Sequence, residues 1–303
     1  MANFYGSYVG FGGGAAGGAV FSWGGTRGLW GGGYESARVD TIEYVTIATT
    51  GNTTDFGDLT VARHAIGGAI SNITRGVWGG GNEAGEHGDT IDYVTIATTG
   101  NATDFGNRTV SVSYVASCSS GIRGLFAGGE TATDVIDYIT IATTGDAADF
   151  GDLSGTRERV TGCSNGIRGI WGGGLSMTNI IEYSVFATLG NVTDFGDLTL
   201  ARHDAGACSD TTRGIWGGGD GGTYTDTMDY ITMATTGNAT DFGDLTEARR
   251  AASASSNGTR GVWGGGEEIT DVIDYITIAT TGNATDFGDL SAARRLAGAT
   301  SGN

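Results

Sequence analysis

Apolar and polar positions alternate in short runs along this chain, and no segment sustains a helical period. In residues 273–280, Ile273, Tyr275 and Thr277 fall on one side while Asp274, Ile276 and Ile278 fall on the other. Period two with β-branched and aromatic residues on both sides predicts a strand buried largely on both faces. Thr281-Gly282-Asn283 closes it with turn chemistry. The following run, ATDFGDL, is a short strand interrupted by glycine. Phe287 and Leu290 are three apart and so lie on opposite faces under strict alternation, unless a bulge at Gly288 brings both to one side. Before the tyrosine strand comes RGVWGGG, an apolar pair leading into a glycine triplet where backbone must turn or approach closely. Before that is a run of small residues, as in 248–255, suited to a crowded place such as the innermost strand of a propeller.

These four runs recur six times. The opening Arg-Gly lies at Arg27, Arg75, Arg123, Arg168, Arg213 and Arg260, at intervals of 48, 48, 45, 45 and 47 residues. Such a period marks an architecture in which no unit buries its apolar face alone. Four short antiparallel strands in each of six units predict an all-β, six-bladed β-propeller over 27–303, one domain in 303 residues. Residues 1–26 are the least repeat-like part, rich in Gly, Ala and aromatics with no charge before Arg27. They read either as an arm that docks on a partner or as a degenerate extra strand.

Composition narrows the classes. The formal charge is -18, and the 16 basic residues are all arginine. An acidic surface argues against nucleic acid and anionic membranes as partners. No apolar run approaches the ~20 residues of a membrane span, and no secretory signal opens the chain. Glycine numbers 58 but recurs in register, so it reads as turn and close-packing positions rather than disorder. Cys118, Cys163 and Cys208 occupy one slot in successive repeats, matched elsewhere to Ala69, Ser255 and Thr300. The slot calls for a small residue, and three cysteines without a CxxC predict free buried thiols.

Candidate chemistry is sparse. Trp30, Trp78, Trp171, Trp216 and Trp263, with Phe126 in the remaining repeat, offer a ring of sugar-stacking aromatics; packing between blades is the expectation, since the following glycines leave room for each ring. The six Arg-Gly arginines face Glu43, Asp92, Asp137, Glu182, Asp229 and Asp274 of the tyrosine strands. An anion-binding ring competes with the expected pairing of each arginine to an acid or carbonyl between blades. The DFGD acids, such as Asp55/Asp58 and Asp286/Asp289, read as turn caps rather than calcium ligands: Asn107 replaces one, and no third and fourth acid is in reach. His64, His87 and His203 do not cluster, and no nucleophile–base grouping is visible. No metal and no cofactor are expected. Paired carboxylates for glycan hydrolysis would have to come from repeat-breaking acids such as Glu158 and Glu247, which lie in different blades.

The unit 201–249 resembles a Kelch repeat: an Arg leading a small-residue strand, an apolar strand ending in glycines, a tyrosine strand, and a closing leucine before the next Arg. The phrase TTGNATDFGDLT, nearly identical between repeats, also resembles repeats in virion proteins of tailed phages, marine ones especially. In the Kelch phase the innermost strand of a blade precedes Arg-Gly. The resemblance therefore implies that residues 293–303 close the ring beside residues 27–33, which leaves 1–26 outside it as an arm. For function it implies a non-enzymatic virion structural or interaction protein, a head decoration or tail-fibre component assembled in the host cytoplasm and bound to other virion proteins through that arm. A carbohydrate-binding propeller recognising a host surface is the alternative, a glycan-active enzyme the second; a homo-oligomer stays open.

Overall fold

The computed structural model describes residues 25–131, 133–176, 178–267 and 270–302. Among these every regular element is a strand, and the strands form six antiparallel sheets arranged as the blades of a ring. Blade 6 shows the plan, from the hub outward: Ser253–Ser256, Arg260–Gly264, Val272–Thr277 and Thr285–Asp289. Blades 3, 4 and 5 repeat it from Ala116–Ser119, Thr161–Ser164 and Gly206–Ser209. Blade 2 runs Ala69–Ser71, Arg75–Glu83, Glu86–Thr95, Thr103–Asn107, and its longer hairpin also pairs with Arg63–His64. That extension runs through NEAGEHG, and blades 1 and 5 make single bridges at the equivalent positions, Tyr34 to Arg295 and His203 to Asp220.

Blade 1 is made from both ends of the sequence. Gly298–Gly302 is its innermost strand and pairs antiparallel with Arg27–Gly31, which is followed outward by Thr41–Thr46 and Thr54–Asp58. The expected closure is thus present, and no strand edge is left at the seam. The proposed arm, 1–26, lies outside the described residues except for its last two. Gly25 passes so close to the closing strand that a Cβ there would lie 2.4 Å from the Gly302 nitrogen.

The core is divided among the six joints. At the joint of blades 1 and 2, Leu29, Ile42, Phe56 and Leu59 meet Trp78, Val94 and Ile96; the seam between blades 6 and 1 is built the same way, from Val262, Ile273, Phe287 and Leu290 against Trp30, Val45 and Ile47. Phe287 and Leu290 do share one side, because the register shifts by one between Ile273 and Asp274. The residue the bulge adds is Phe287 itself, with Gly288 beside it at φ +144. That glycine also admits the neighbouring blade: a Cβ on it would lie 2.6 Å from the Gly51 carbonyl. The Thr-Gly-Asn turn docks there, Gly51 N donating to Phe287 O and Asn52 Oδ1 accepting from Asp289 N. The same girdle contact recurs at every joint, with Asp146 in the asparagine position once.

The cysteine slot needs one correction. Cys118, Cys163 and Cys208 are free and buried, and burial pushes their pKa values up. Each points at the Arg-Gly glycine of the next blade, Gly169, Gly214 or Gly261. In blade 2, however, strand register puts Ile70, not Ala69, opposite Val77, as Cys118 lies opposite Leu125. The slot is therefore not restricted to small side chains. Ile70 fills it fully buried against Gly124, and the branched side chain replaces the sulfur in covering that glycine.

Candidate functional site: the top face and its hub

Two kinds of surface meet in each repeat. The walls are nearly identical in all six blades. The face carrying the linkers between blades and the loops between second and third strands, here the top, is where the repeats disagree.

The walls use most of the chemistry that the sequence offers. All five repeat tryptophans are 0% exposed. Four donate Nε1–H across the joint to the innermost strand of the preceding blade: Trp30 to Ser253 O, Trp78 to Gly298 O, Trp216 to Thr161 O and Trp263 to Gly206 O. None presents a ring face to a sugar. Blade 3 carries Ala127 where other repeats have the first glycine of the triplet, and the following Trp171 has no partner for its indole nitrogen. A Cβ at the matching Gly31, Gly172, Gly217 or Gly264 would press on the next tryptophan.

The arginines divide into sets that the sequence did not separate. The Arg-Gly arginines donate to backbone carbonyls of the next blade, Arg27 to Ile96, Arg75 to Ile141 and so on round to Arg260 with Ala48. Each also lies over the tyrosine of its own blade, at 4.4 Å for Arg75 on Tyr93 and 4.9 Å for Arg123 on Tyr138. The acids Glu43, Asp92, Asp137, Glu182, Asp229 and Asp274 pair instead with a second arginine, in the linker entering each blade. The pairs are Arg63–Asp92, Arg108–Asp137, Arg157–Glu182, Arg202–Asp229, Arg249–Asp274 and Arg294–Glu43. Burial draws the guanidinium pKa values of Arg108, Arg157, Arg202, Arg249 and Arg294 down, while the acids beside Arg108, Arg157, Arg202 and Arg249 push theirs back up. A linker hydroxyl, such as Thr60 on Asp92 or Thr246 on Asp274, bonds the same carboxylate. With the acid satisfied and the cation neutralised, no anion site remains in the wall. The carbonyl of the linker residue caps the glycine triplet of the blade just left, as in Gly33 N to Arg63 O at 2.8 Å.

The joint of blades 2 and 3 achieves the same pairing from another position. Arg108 stands where other linkers have the closing leucine, and Val112 stands where they have the arginine. Arg108 still reaches Asp137, at 2.9 Å, and lies over Phe126, the one repeat position that is not tryptophan.

Two residues beyond the linker arginine, or beyond Val112 in the linker of blades 2 and 3, the chain enters the hub in a left-handed conformation: Ala65, Tyr114, Arg159, Asp204, Ala251 and Leu296, with φ between 53° and 59°. This conformation costs a non-glycine residue roughly 1–3 kcal/mol, and such strain gathers at functional positions. A chain with 58 glycines places none of them here. The backbone at this level is tied blade to blade, Tyr114 N to Ala65 O at 2.6 Å, Asp204 N to Arg159 O at 3.2 Å, Ala251 N to Asp204 O at 2.8 Å and Leu296 N to Ala251 O at 3.1 Å. One half of the ring is polar: Arg159 pairs with Asp204 at 2.7 Å, and its guanidinium carbon lies 3.9 Å from the centroid of Tyr114. The other half is apolar. Tyr114 has its pKa raised, first by burial, with Arg159 opposing. Below the ring runs a small-residue channel of about 90 Å³, much smaller than the ~300 Å³ or more of a ligand pocket. A serine relay lines it, in which Ser164, Ser209 and Ser256 each donate to the preceding serine carbonyl at 2.6–2.9 Å.

Around the hub the loops are charged and aromatic. Asp220, Arg250, Glu267 and Arg295 form a chain of ion pairs, Arg250 lies over Tyr224, and Arg295 lies over Tyr34. Tyr34 in turn meets His64, whose pKa is lowered by burial first and then by Arg38 and Arg295. His87 contacts Ser113, which bonds Glu130; His203 contacts Asp204. The three histidines are thus dispersed over the top face. Of the 16 arginines, six are wall Arg-Gly residues and six are linker residues, leaving Arg38, Arg159, Arg250 and Arg295, all of them on this face. Glu158 and Glu247 lie in separate linkers, Glu247 bonding Arg249. Among the described residues no group of three His, Cys, Asp or Glu side chains could hold a metal ion. The hub residues escaped the sequence reading because it looked for what the repeats share. Their signal is the opposite: five residue types among the six copies of one position.

No protein-family model matches this chain, and no curated protein matches it. The fold and site define a six-bladed β-propeller with nearly identical walls and a divergent top face.

Proposed function

We propose that this is a non-enzymatic structural and interaction protein of a phage particle, a head decoration or tail-fibre component attached through residues 1–26 with its top face outward. The particle reading draws on the resemblance of the TTGNATDFGDLT repeats to phage virion proteins. The orientation draws on one observation: the chain enters the ring at the bottom, where Gly25 crosses Gly302, whereas the repeats diverge at the top. This reading puts attachment and recognition on opposite faces of the ring. The test is to purify particles and locate the chain. The expected result is a stoichiometric component, lost when residues 1–26 are deleted; absence from purified particles overturns the reading.

Recognition of a host-surface glycan is the second reading. It rests on Tyr34, Tyr114 and Tyr224 beside paired charges on the top face, not on the buried tryptophans. Glycan-array binding lost on Tyr114→Ala, with the fold intact, would favour it.

A further inference from the structure

Five of the six left-handed hub residues, Tyr114, Arg159, Asp204, Ala251 and Leu296, line one cup. The cup opens onto the channel, with which it shares Thr161, Ala252 and Ser253. Its two sides differ. On one, Arg159 Nη1 donates to Asp204 Oδ2 at 2.7 Å, and His203 Nδ1 meets the same oxygen at 3.1 Å. No hydrogen bond from the described residues reaches Asp204 Oδ1, and none is donated by Arg159 Nη2 or the Tyr114 hydroxyl. Arg159 Nε is buried without a partner. The opposite side is apolar, made by Ala251, Leu296 and Ala297. The backbone bonds hold the hub without these side chains, so the spare donors and acceptor are not needed for the ring itself.

We propose that the cup takes the acetamido group of an N-acetylated sugar at the end of a glycan chain. The carbonyl oxygen of that group accepts from Arg159, its N–H donates to Asp204 Oδ1, and its methyl lies against Leu296 and Ala251. A hydroxyl would leave the apolar wall unused, and a carboxylate would be repelled by Asp204. Size agrees. The cup holds about 30 Å³, roughly two water positions, which suits a side group of a few atoms and not a sugar ring. The ring therefore stays outside, and only a chain end can present the group. Acetyl-lysine carries the same group, but the surroundings favour the sugar. Arg250, next in the chain to Ala251, is held by Asp220 and Glu267 over Tyr224. A sugar's hydroxyls can use those polar groups, and a lysine's methylene stem cannot. The inference rests on the host-glycan reading and names the part of the glycan that is recognised.

The test applies the full chain to an array carrying glycans that end in N-acetylglucosamine, the same glycans ending in glucose, and peptides bearing acetyl-lysine. Two variants accompany it: Arg159→Ala/Asp204→Ala, which removes both charges together, and Leu296→Gly, which removes the apolar wall. Urea midpoints report whether each ring is intact. The expected signal is at least tenfold higher on the N-acetylated ends, falling at least tenfold in the double variant and severalfold in Leu296→Gly. Saturation transfer to methyl N-acetylglucosaminide should be strongest at the acetyl methyl. Equal binding to both sugar ends, or binding that survives in both folded variants, overturns the proposal and leaves the glycan reading standing. Absence of binding to any glycan overturns both. Preference for acetyl-lysine overturns the proposal and assigns the cup to an acetylated protein.

Discussion

The walls and the top face of this ring are made by the same six repeats, yet they treat variation in opposite ways. In a wall, tryptophans and Arg-Gly arginines bond to the blades on either side, so a change in one repeat is felt in another. Arg108 shows the constraint: the arginine moved four residues along the linker, but the charge pair was kept. At the hub, Ala65, Tyr114, Arg159, Asp204, Ala251 and Leu296 share a backbone conformation but span five residue types. The backbone there is tied by its own hydrogen bonds, which frees the side chains. The contrast shows how a repeat protein can carry one recognition face on a conserved scaffold: the strain is uniform and the side chains are not.

The largest break should come from removing half of a wall pair. Asp274→Ala leaves the buried Arg249 with only the partly exposed Glu247 beside it, and loss of one partner of a buried pair costs about 3–5 kcal/mol. Urea unfolding should show the midpoint falling by that equivalent or cooperativity lost. Arg108→Leu should cost a similar amount by stranding Asp137, and adding Val112→Arg should restore most of it by rebuilding the pairing of the other five linkers. If the double variant is no more stable than the single one, the linker positions are not interchangeable. Gly243→Ala is next: its Cβ would lie 2.5 Å from the Gly282 carbonyl at φ +140. A cost of about 1–3 kcal/mol is expected for the forced conformation and the displaced girdle, read as a lowered Tm. At the hub, Leu296→Gly relieves a left-handed leucine while loosening the unfolded chain, so stability should shift by less than about 1 kcal/mol.

The smallest effect is acid sensitivity. His64 has a lowered pKa in the folded state, so the unfolded chain binds more protons and stability rises with pH. The contribution is complete above the ordinary histidine value of about 6.5 and is lost as pH falls below it. His64→Ala should flatten that part of the stability curve.

Blade number, strand order and ring closure were legible because the repeat writes them six times, and Gly298–Gly302 lacks a following Arg-Gly. The bulge was legible from Phe287 and Leu290, whose spacing violates alternation. The arginine partners were not: Asp274 is nearer in sequence to Arg260 than to Arg249, its actual partner, and only the sheet shows that Arg260 spends its charge on Tyr275 and a carbonyl. Ile70 was missed because counting from the cysteines does not reveal register, which the pairing with Val77 fixes. The hub was illegible as a site because left-handed backbone at alanine, leucine or tyrosine has no signature in residue type.

The most direct test of the division between wall and face is urea unfolding of one chain carrying glycine at all six hub positions, 65, 114, 159, 204, 251 and 296. Both members of the Arg159–Asp204 pair are then removed together. A single cooperative transition close to that of the unmodified protein is the result this account predicts. Loss of cooperativity, or a fall as large as that of Asp274→Ala, would show that the hub side chains hold the ring and contradict it.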